Sequence, residues 1–327
     1  MRVYVVGAGA VGTYLGEQLR GIGNEVMYAP RALEDVVPVE VDLAIVTVKA
    51  YDTPGAIQTL RRGLRDPSAT TILTPQNGIG NEELLAQAFG ADSVVSAALT
   101  VPVERDASGQ GVAARGGGIA FAPVGANAHN WLLAAFGATD LPVSAVADYR
   151  ALKWSKLALN VVANASCAIL DMLPERLVRE DEIFALEIRM LREVRATMKA
   201  LGIKAIDLPR YPVRALLAAA SLPTPLARTA LAGRIAGARG DKPPSLLLDL
   251  RGAKHQTEVE YLNGAVARAA RDAGVAAPVN AGLARILSDI AHMPQLWSKY
   301  RERPEMLRDE LRGRSGAPSA ATKETAP

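Results

Sequence analysis

Four groups of residues in this sequence have types and spacings that could do chemistry. Gly7-Ala8-Gly9-Ala10-Val11-Gly12 follows a β-branched apolar run and opens a helical pattern. In that context a GxGxxG turn suits a dinucleotide pyrophosphate. The first glycine makes the turn, the second admits the phosphates, and the third lets helix and strand pack closely. A glycine turn in some other α/β protein is the alternative. The second strand should end near Tyr28, where Ala29-Pro30-Arg31 follows rather than an acid. An arginine there suits a 2′-phosphate, hence NADPH/NADP+. Glu34 and Asp35 come soon after, and a plain surface arginine is the other reading. Lys49 ends the apolar run Leu43–Val48, and Asn77 ends another in LTPQNGIG. Open α/β sheets bind ligands at the carboxyl ends of their strands, so both would converge on the crevice beside the glycine turn. Asn77-Gly78 is also an ordinary turn signal.

The third group is Lys156, Asn160 and Asn164. Spacings of four and four predict one helical face carrying all three, on a segment otherwise rich in Leu and Val. Such a polar stripe costs free energy unless it meets partners or a ligand. Lys153 lies on nearly the same face one turn earlier, so the pattern does not choose between the two lysines. The fourth group runs from Ser245 and Asp249 to Glu258. Thr257 and Glu260 are spaced as a capping box, which predicts a new helix with Glu258 in its first turn. An acid there is also what the helix dipole favours.

These residues need elements to position them. Short apolar runs at Val3–Val6, Leu43–Val48, Thr70–Leu73 and Val94–Ala97 alternate with helical patterns at Ala10–Gly21, Thr53–Leu64 and Asn81–Ala88. That alternation predicts βαβ units and a parallel sheet, an α/β Rossmann-like dinucleotide-binding domain. Glycine-rich Gly109–Gly118 leads into a further strand, Ile119–Val124, in a later and antiparallel part of the sheet. From about Asp148 the strand-like runs give way to long helical patterns. The reading is an NADP(H)-binding domain over 1–148, a mostly α-helical substrate domain over 149–312, and a disordered tail over 313–327. A length of 327 residues agrees with two domains at roughly 150 residues each.

Composition narrows the function class. The net charge of +3, from 37 Lys and Arg against 34 Asp and Glu, is not the clustered basic stripe of a nucleic-acid binder. No run reaches the roughly 18 apolar residues of a membrane span. The glycines in MRVYVVGAGAVG break what could pass for a signal peptide. One cysteine, Cys167, and three scattered histidines offer neither a disulfide framework nor metal-ligand spacing. These counts favour the cytoplasm and metal-free chemistry.

Taken in order, GxGxxG, VKAYDT, QNGIGN, KLALNVVAN, SLLLDL and TEVEYLNG resemble the ketopantoate reductase family (2-dehydropantoate 2-reductase). The resemblance covers nearly the whole chain to about Asp289. It implies a Rossmann domain, a helical domain, NADPH, and reduction of 2-oxopantoate to (R)-pantoate in pantothenate and coenzyme A biosynthesis. It implies Lys156 as proton donor, Asn77 touching cofactor and substrate, and Lys49 near the nicotinamide. Asn160, Asn164 and Ser245 would bind substrate, and Glu258 would close the site. Lys153, nearer the domain boundary, is then expected in solvent. The stretch from Arg31 to Asp42 is shorter than usual in the family, and the linker from Asp249 to Glu258 is one residue longer. Other readings are a reductase of another 2-oxo acid, an opine-type dehydrogenase, or a non-catalytic NADP(H)-binding sensor. The Lys156 stripe and Glu258 argue against the sensor. A homodimer is expected, with Leu216-Leu217-Ala218-Ala219-Ala220 as a candidate apolar patch.

Overall fold

The computed structural model describes residues 1–113, 116–237 and 242–313. Its first half runs β1 (Arg2–Val6), α1 (Ala10–Gly21), β2 (Glu25–Tyr28), β3 (Leu43–Val46), α2 (Thr53–Gly63), β4 (Thr71–Thr74), α3 (Asn81–Phe89) and β5 (Val94–Leu99). It continues with β6 (Val103–Arg105), β7 (Gly111–Ala113), β8 (Ile119–Pro123), α4 (Asn130–Gly137) and β9 (Val143–Ala145). The main sheet has the order β2-β1-β3-β4-β5-β8-β9. The first five strands are parallel, and β8 runs antiparallel to β5, as expected. Strands such as Leu43-Ala44-Ile45-Val46 are buried throughout because helices cover both faces of the sheet. Leu15 and Leu19 of α1 pack on one face with Leu132 and Phe136 of α4. Leu60 of α2 and Leu85 of α3 pack on the other.

The short segment after β2 has a structural consequence. A doubly wound dinucleotide fold usually carries a third strand outside the second. Here β2 is the sheet edge, and only a 3-10 turn, Leu33–Asp35, precedes the return to β3. The glycine-rich stretch before β8 holds a feature that sequence reasoning missed, the β6–β7 hairpin lying on α1. A Cβ on Gly111 would stand 2.0 Å from the Ala10 carbonyl oxygen, so only glycine permits this approach. The Gly111 N–H donates to Thr13 Oγ1 at 2.8 Å.

The second half is helical: α5 (Tyr149–Val161), α6 (Ala165–Leu170), α7 (Pro174–Leu177), α8 (Asp181–Ala200), α9 (Val213–Ala220), α10 (Thr224–Gly237), α11 (Ser245–Arg251), α12 (Asn263–Asp272), α13 (Pro278–His292), α14 (Trp297–Tyr300) and α15 (Pro304–Gly313). The change of texture near Asp148 coincides with the link from β9 to α5, where the Asp148 carboxylate accepts the Arg150 N–H at 2.8 Å. Beyond Gly313, which ends α15, the expected tail lies outside the described residues. Helix α5 joins the two halves. Leu152, Leu157 and Val161 share a core with Ala98, Ala120 and Ala122 of the sheet, whose small side chains let the helix approach closely. The Leu216–Ala220 run is not an open patch. Leu217 and Ala220 are buried in the helical core, so what α9 leaves outside is Arg214, alanine methyls and the half-buried Leu216.

Candidate active site

The glycine turn has the geometry that pyrophosphate binding needs. Gly7 has φ +109°, and a Cβ there would meet Val48 N at 2.7 Å. A Cβ on Gly12 would stand 2.0 Å from the Gly7 carbonyl oxygen, so this glycine is demanded by the packing of α1 on β1. Gly9 instead borders open space, with nothing within 4 Å of a Cβ built on it. That open flank lies at the N-terminus of α1, where unpaired N–H groups favour an anion. Ala8, Ala10 and Val11 complete the turn, and a dinucleotide phosphate fits the residues present. Arg31 is exposed three residues beyond the end of β2.

The ends of β3 and β4 are tied together by buried amides and hydroxyls. Gln76 Nε2 donates to the Val48 carbonyl at 3.0 Å and to Thr53 Oγ1 at 2.9 Å, and Gln76 Oε1 accepts from Thr74 Oγ1 at 3.0 Å. Thr53 in turn donates to Asn81 Oδ1 at 2.8 Å, and Asn81 Nδ2 donates to the Asn77 carbonyl at 3.1 Å. Such a network is worth forming only when its members are satisfied, and it then holds its backbone rigidly. Its effect here is to fix Lys49 and Asn77 side by side at the carboxyl edge of the sheet.

Residues of α5, of α11 and of the 3-10 turn before α12 meet this edge. Lys49 Nζ donates to Glu258 Oε2 at 2.8 Å and stands 3.6 Å from Asp249 Oδ2. The Ala50 N–H donates to Glu258 Oε1 at 3.3 Å. Burial works to lower the Lys49 pKa, but Glu258 and Asp249 outweigh it and hold the ammonium above the ordinary lysine value. The Gln76-Asn77-Gly78 turn fits against a 3-10 turn at Glu258–Tyr261: Gly78 has φ +88°, a Cβ there would meet Tyr261 Cβ at 2.7 Å, and the Ile79 N–H donates to the Tyr261 carbonyl at 3.1 Å. Asn160 Nδ2, on α5, donates to Asn77 Oδ1 at 2.9 Å. Lys156 is half-buried one turn earlier, on the flank of α5 that carries Asn160.

Several sequence expectations are corrected here. Lys153 is not solvated; it is 3% exposed, its Nζ lies 3.0 Å from Glu82 Oε1, and it donates to the Gln76 carbonyl. The Lys156–Asn160–Asn164 stripe is not one continuous helical face. Helix α5 stops at Val161, Ala163 adopts φ +47°, and Asn164 stands at the N-cap position just before α6. Asn164 is buried, and its amide works within the protein: Nδ2 donates to the Asn160 carbonyl at 2.9 Å and lies 3.5 Å from Ser245 Oγ, while Oδ1 accepts the Leu246 N–H at 3.2 Å. It thereby sets the end of α5 against the start of α11 and places Ser245. The capping box does not form. Thr257 accepts only the Val259 N–H at 3.5 Å, while Glu260 bonds Arg268 and Ser288. Thr257 does cap a 3-10 turn with Glu258 at its start, but the α-helix α12 begins only at Asn263. The longer linker turns back at Ala253, φ +52°, and brings Lys254 Nζ to Asp249 Oδ1 at 2.5 Å.

Sequence reasoning missed Glu82 and Gln76, and gave Asp249 no role. Glu82 is 1% exposed and also accepts from Ser96 Oγ at 2.8 Å. An acid in the first turn of α3 looks like an ordinary dipole partner, and no pattern within α3 signals that a lysine from α5 will cover it.

Two family models match the chain, ketopantoate reductase PanE/ApbA over residues 20–125 and its C-terminal counterpart over 148–291. The chain belongs to the ketopantoate reductase family. The 2-dehydropantoate 2-reductase of Pyrobaculum aerophilum is 29% identical over 301 residues, spanning 86% of this chain and 95% of that protein. That of Halobacterium salinarum is 28% identical over 327 residues, spanning 90% and 99%. Among solved structures, a PanE/ApbA family ketopantoate reductase from Ralstonia eutropha superposes with a TM-score of 0.73 at 26% identity, covering 90% of this chain and all of that one. A D-mandelate dehydrogenase solved with NADH and anilino(oxo)acetate gives the same TM-score at 18% identity, covering 90% and 99%, which is a likeness of fold. The first ketopantoate reductase match begins beyond the glycine turn, so the case for Gly7–Gly12 rests on the geometry described above.

Proposed function

We propose that this protein reduces 2-oxopantoate (2-dehydropantoate) to (R)-pantoate with NADPH, in pantothenate and coenzyme A biosynthesis. The observation that carries the reading is the meeting of the two halves over the sheet edge. Asn160 reaches Asn77 with Lys156 one turn away, and Glu258 reaches Lys49 beside them. In this reading the Gly7–Gly12 turn holds the pyrophosphate, Arg31 the 2′-phosphate, and Lys49 and Asn77 the nicotinamide side. Bound NADPH would supply hydride to the ketone carbon. As the ketone oxygen gains negative charge, the Lys156 ammonium stabilises it and gives up a proton to it. The amides of Asn77 and Asn160 and the Ser245 hydroxyl orient the carboxylate and hydroxyl of the substrate, with Asn164 acting through Ser245. Glu258 holds Lys49 and the Ala50 N–H, and so closes the cleft.

Oxidation of NADPH in the presence of 2-oxopantoate, with chiral analysis of the product, tests the reading. Turnover to (R)-pantoate is expected. Preference for another 2-oxo acid would reassign the substrate, and no turnover with any 2-oxo acid would point to a sensor.

NADPH should be preferred over NADH in kcat/KM. Arg31→Ala should narrow that preference roughly tenfold, the size of one hydrogen bond to a charged group. Equal values for the two cofactors, or a preference indifferent to Arg31→Ala, would remove Arg31 from the site.

The proposal includes a homodimer. The Staphylococcus aureus ketopantoate reductase, a fold neighbour at 17% identity, is described as dimeric, and exposed Leu222, between α9 and α10, and Leu226, in the first turn of α10, offer apolar surface. Light scattering at micromolar concentrations should give twice the chain mass; a monomer mass throughout would refute it. A cytoplasmic location is part of the same reading. No helix among the described residues is long and apolar enough to cross a membrane.

A further inference from the structure

The break between α5 and α6 needs a cause. Ala163, with φ +47°, occupies the left-handed region that glycine would enter without strain. Its N–H sits where α5 has ended and α6 has not begun, so no helical carbonyl receives it. Glu187, from the middle of α8, supplies the acceptor. Its Oε2 accepts the Ala163 N–H at 2.7 Å, and its Oε1 accepts the Ser166 hydroxyl. The carboxyl is buried in the helical core at 1% exposure. Burying an acid costs free energy unless its oxygens are hydrogen-bonded, and here both are.

We propose that Glu187 is a positioning residue for the substrate face: by holding Ala163 in its left-handed conformation it sets Asn164, and through Asn164 it sets Asn160 and Ser245. The chain of contacts is continuous. Asn164 follows Ala163 directly, bonds the Asn160 carbonyl at 2.9 Å, accepts the Leu246 N–H at 3.2 Å and lies 3.5 Å from Ser245 Oγ. If the break slipped by one residue, Asn164 would rotate away from α11 and Ser245 would lose its neighbour. Glu187 itself bonds Ala163 and Ser166, not the proposed substrate-facing groups. Burial pushes its carboxyl up to about 7, against the pull of the Ser166 and Ala163 hydrogen bonds. A neutral side chain of the same shape can therefore stand in for it: the glutamine carbonyl accepts from Ala163, and its amide donates to the Ser166 oxygen.

This inference rests on the proposed reductase activity, and the experiment separates the two. The full-length wild type, Glu187→Leu, Glu187→Asp, Glu187→Gln and Glu187→Leu/Ala163→Gly are compared for kcat, KM for 2-oxopantoate, NADPH affinity and Tm. Glu187→Leu should raise KM for the 2-oxo acid on the order of tenfold or more, with kcat and NADPH affinity changed far less. Glu187→Asp, which is too short to reach both partners, should move KM in the same direction should the leucine variant fail to fold. Glu187→Gln should restore the wild-type KM, and glycine at 163 should recover part of it by relieving the left-handed strain. If the folded variants lose Tm but keep the wild-type KM, Glu187 is only a core residue and the inference is overturned, while the reductase reading stands. A wild type that reduces another 2-oxo acid is tested with that acid. A wild type that reduces none overturns both.

Discussion

Replacing Lys156 with alanine is expected to lower kcat for 2-oxopantoate by roughly 10²–10⁴, the usual loss when a general acid is removed. NADPH affinity and Tm should stay close to wild type. The side chain is half-buried at the cleft, so its removal opens no core cavity, and the cofactor would rest mainly on the other half of the chain. Lys156→Arg should stay slow, since a guanidinium keeps the charge but does not release a proton at neutral pH. The measurement must be made where chemistry limits turnover, which a primary isotope effect with deuterated NADPH establishes. A Lys156→Ala enzyme with near wild-type kcat under those conditions would end the catalytic assignment.

Lys153→Met should give the opposite signature, a loss of stability. It strips the cation from Glu82, which is 1% exposed and shielded from water. Leaving a buried charge without its partner costs about 3–5 kcal/mol, which in a chain of this size lowers Tm by on the order of 10 °C. The double variant Lys153→Met/Glu82→Gln removes both charges and should recover most of that loss, because a buried ion pair often differs little in stability from a neutral replacement. Thermal unfolding of both single variants and the double variant forms a closed cycle. Additive losses would show that the two side chains do not pair. Activity should fall less steeply than for Lys156→Ala, through slackening of the Gln76 carbonyl that Lys153 also holds. The two neighbouring lysines are thus told apart by what each variant loses.

Much of this protein is local enough to be legible in its sequence. The GxGxxG turn is a covalent neighbourhood with its own steric logic, and Gly7 and Gly12 are glycines because Val48 N and the Gly7 carbonyl leave no room for a Cβ. Buried four-residue runs such as Leu43–Val46 alternating with helical spacing forecast the parallel sheet, and the loss of that alternation near Asp148 forecast the helical half. Lys49, Asn77 and Asn160 could be named in advance because strand ends and helix faces have fixed periods, whereas the choice of Lys156 over Lys153 and the site role of Glu258 came from the family resemblance. Periodicity failed wherever a distant group overrode it. Spacing of four predicted a single helix through Asn164, but a carboxylate arriving from α8 stabilises a left-handed alanine and ends the helix at Val161. Sequence order put Lys153 in solvent; α3 buried it by bringing Glu82 to meet it. The Thr257 capping box dissolved because Arg268 and Ser288 compete for Glu260. Local sterics and period are written along the chain, whereas the burial of a charge and the partner of a carboxylate depend on residues 70 or more positions away in the case of Lys153 and Glu82. Only packing decides those, because the free energy of a polar group is set by what surrounds it.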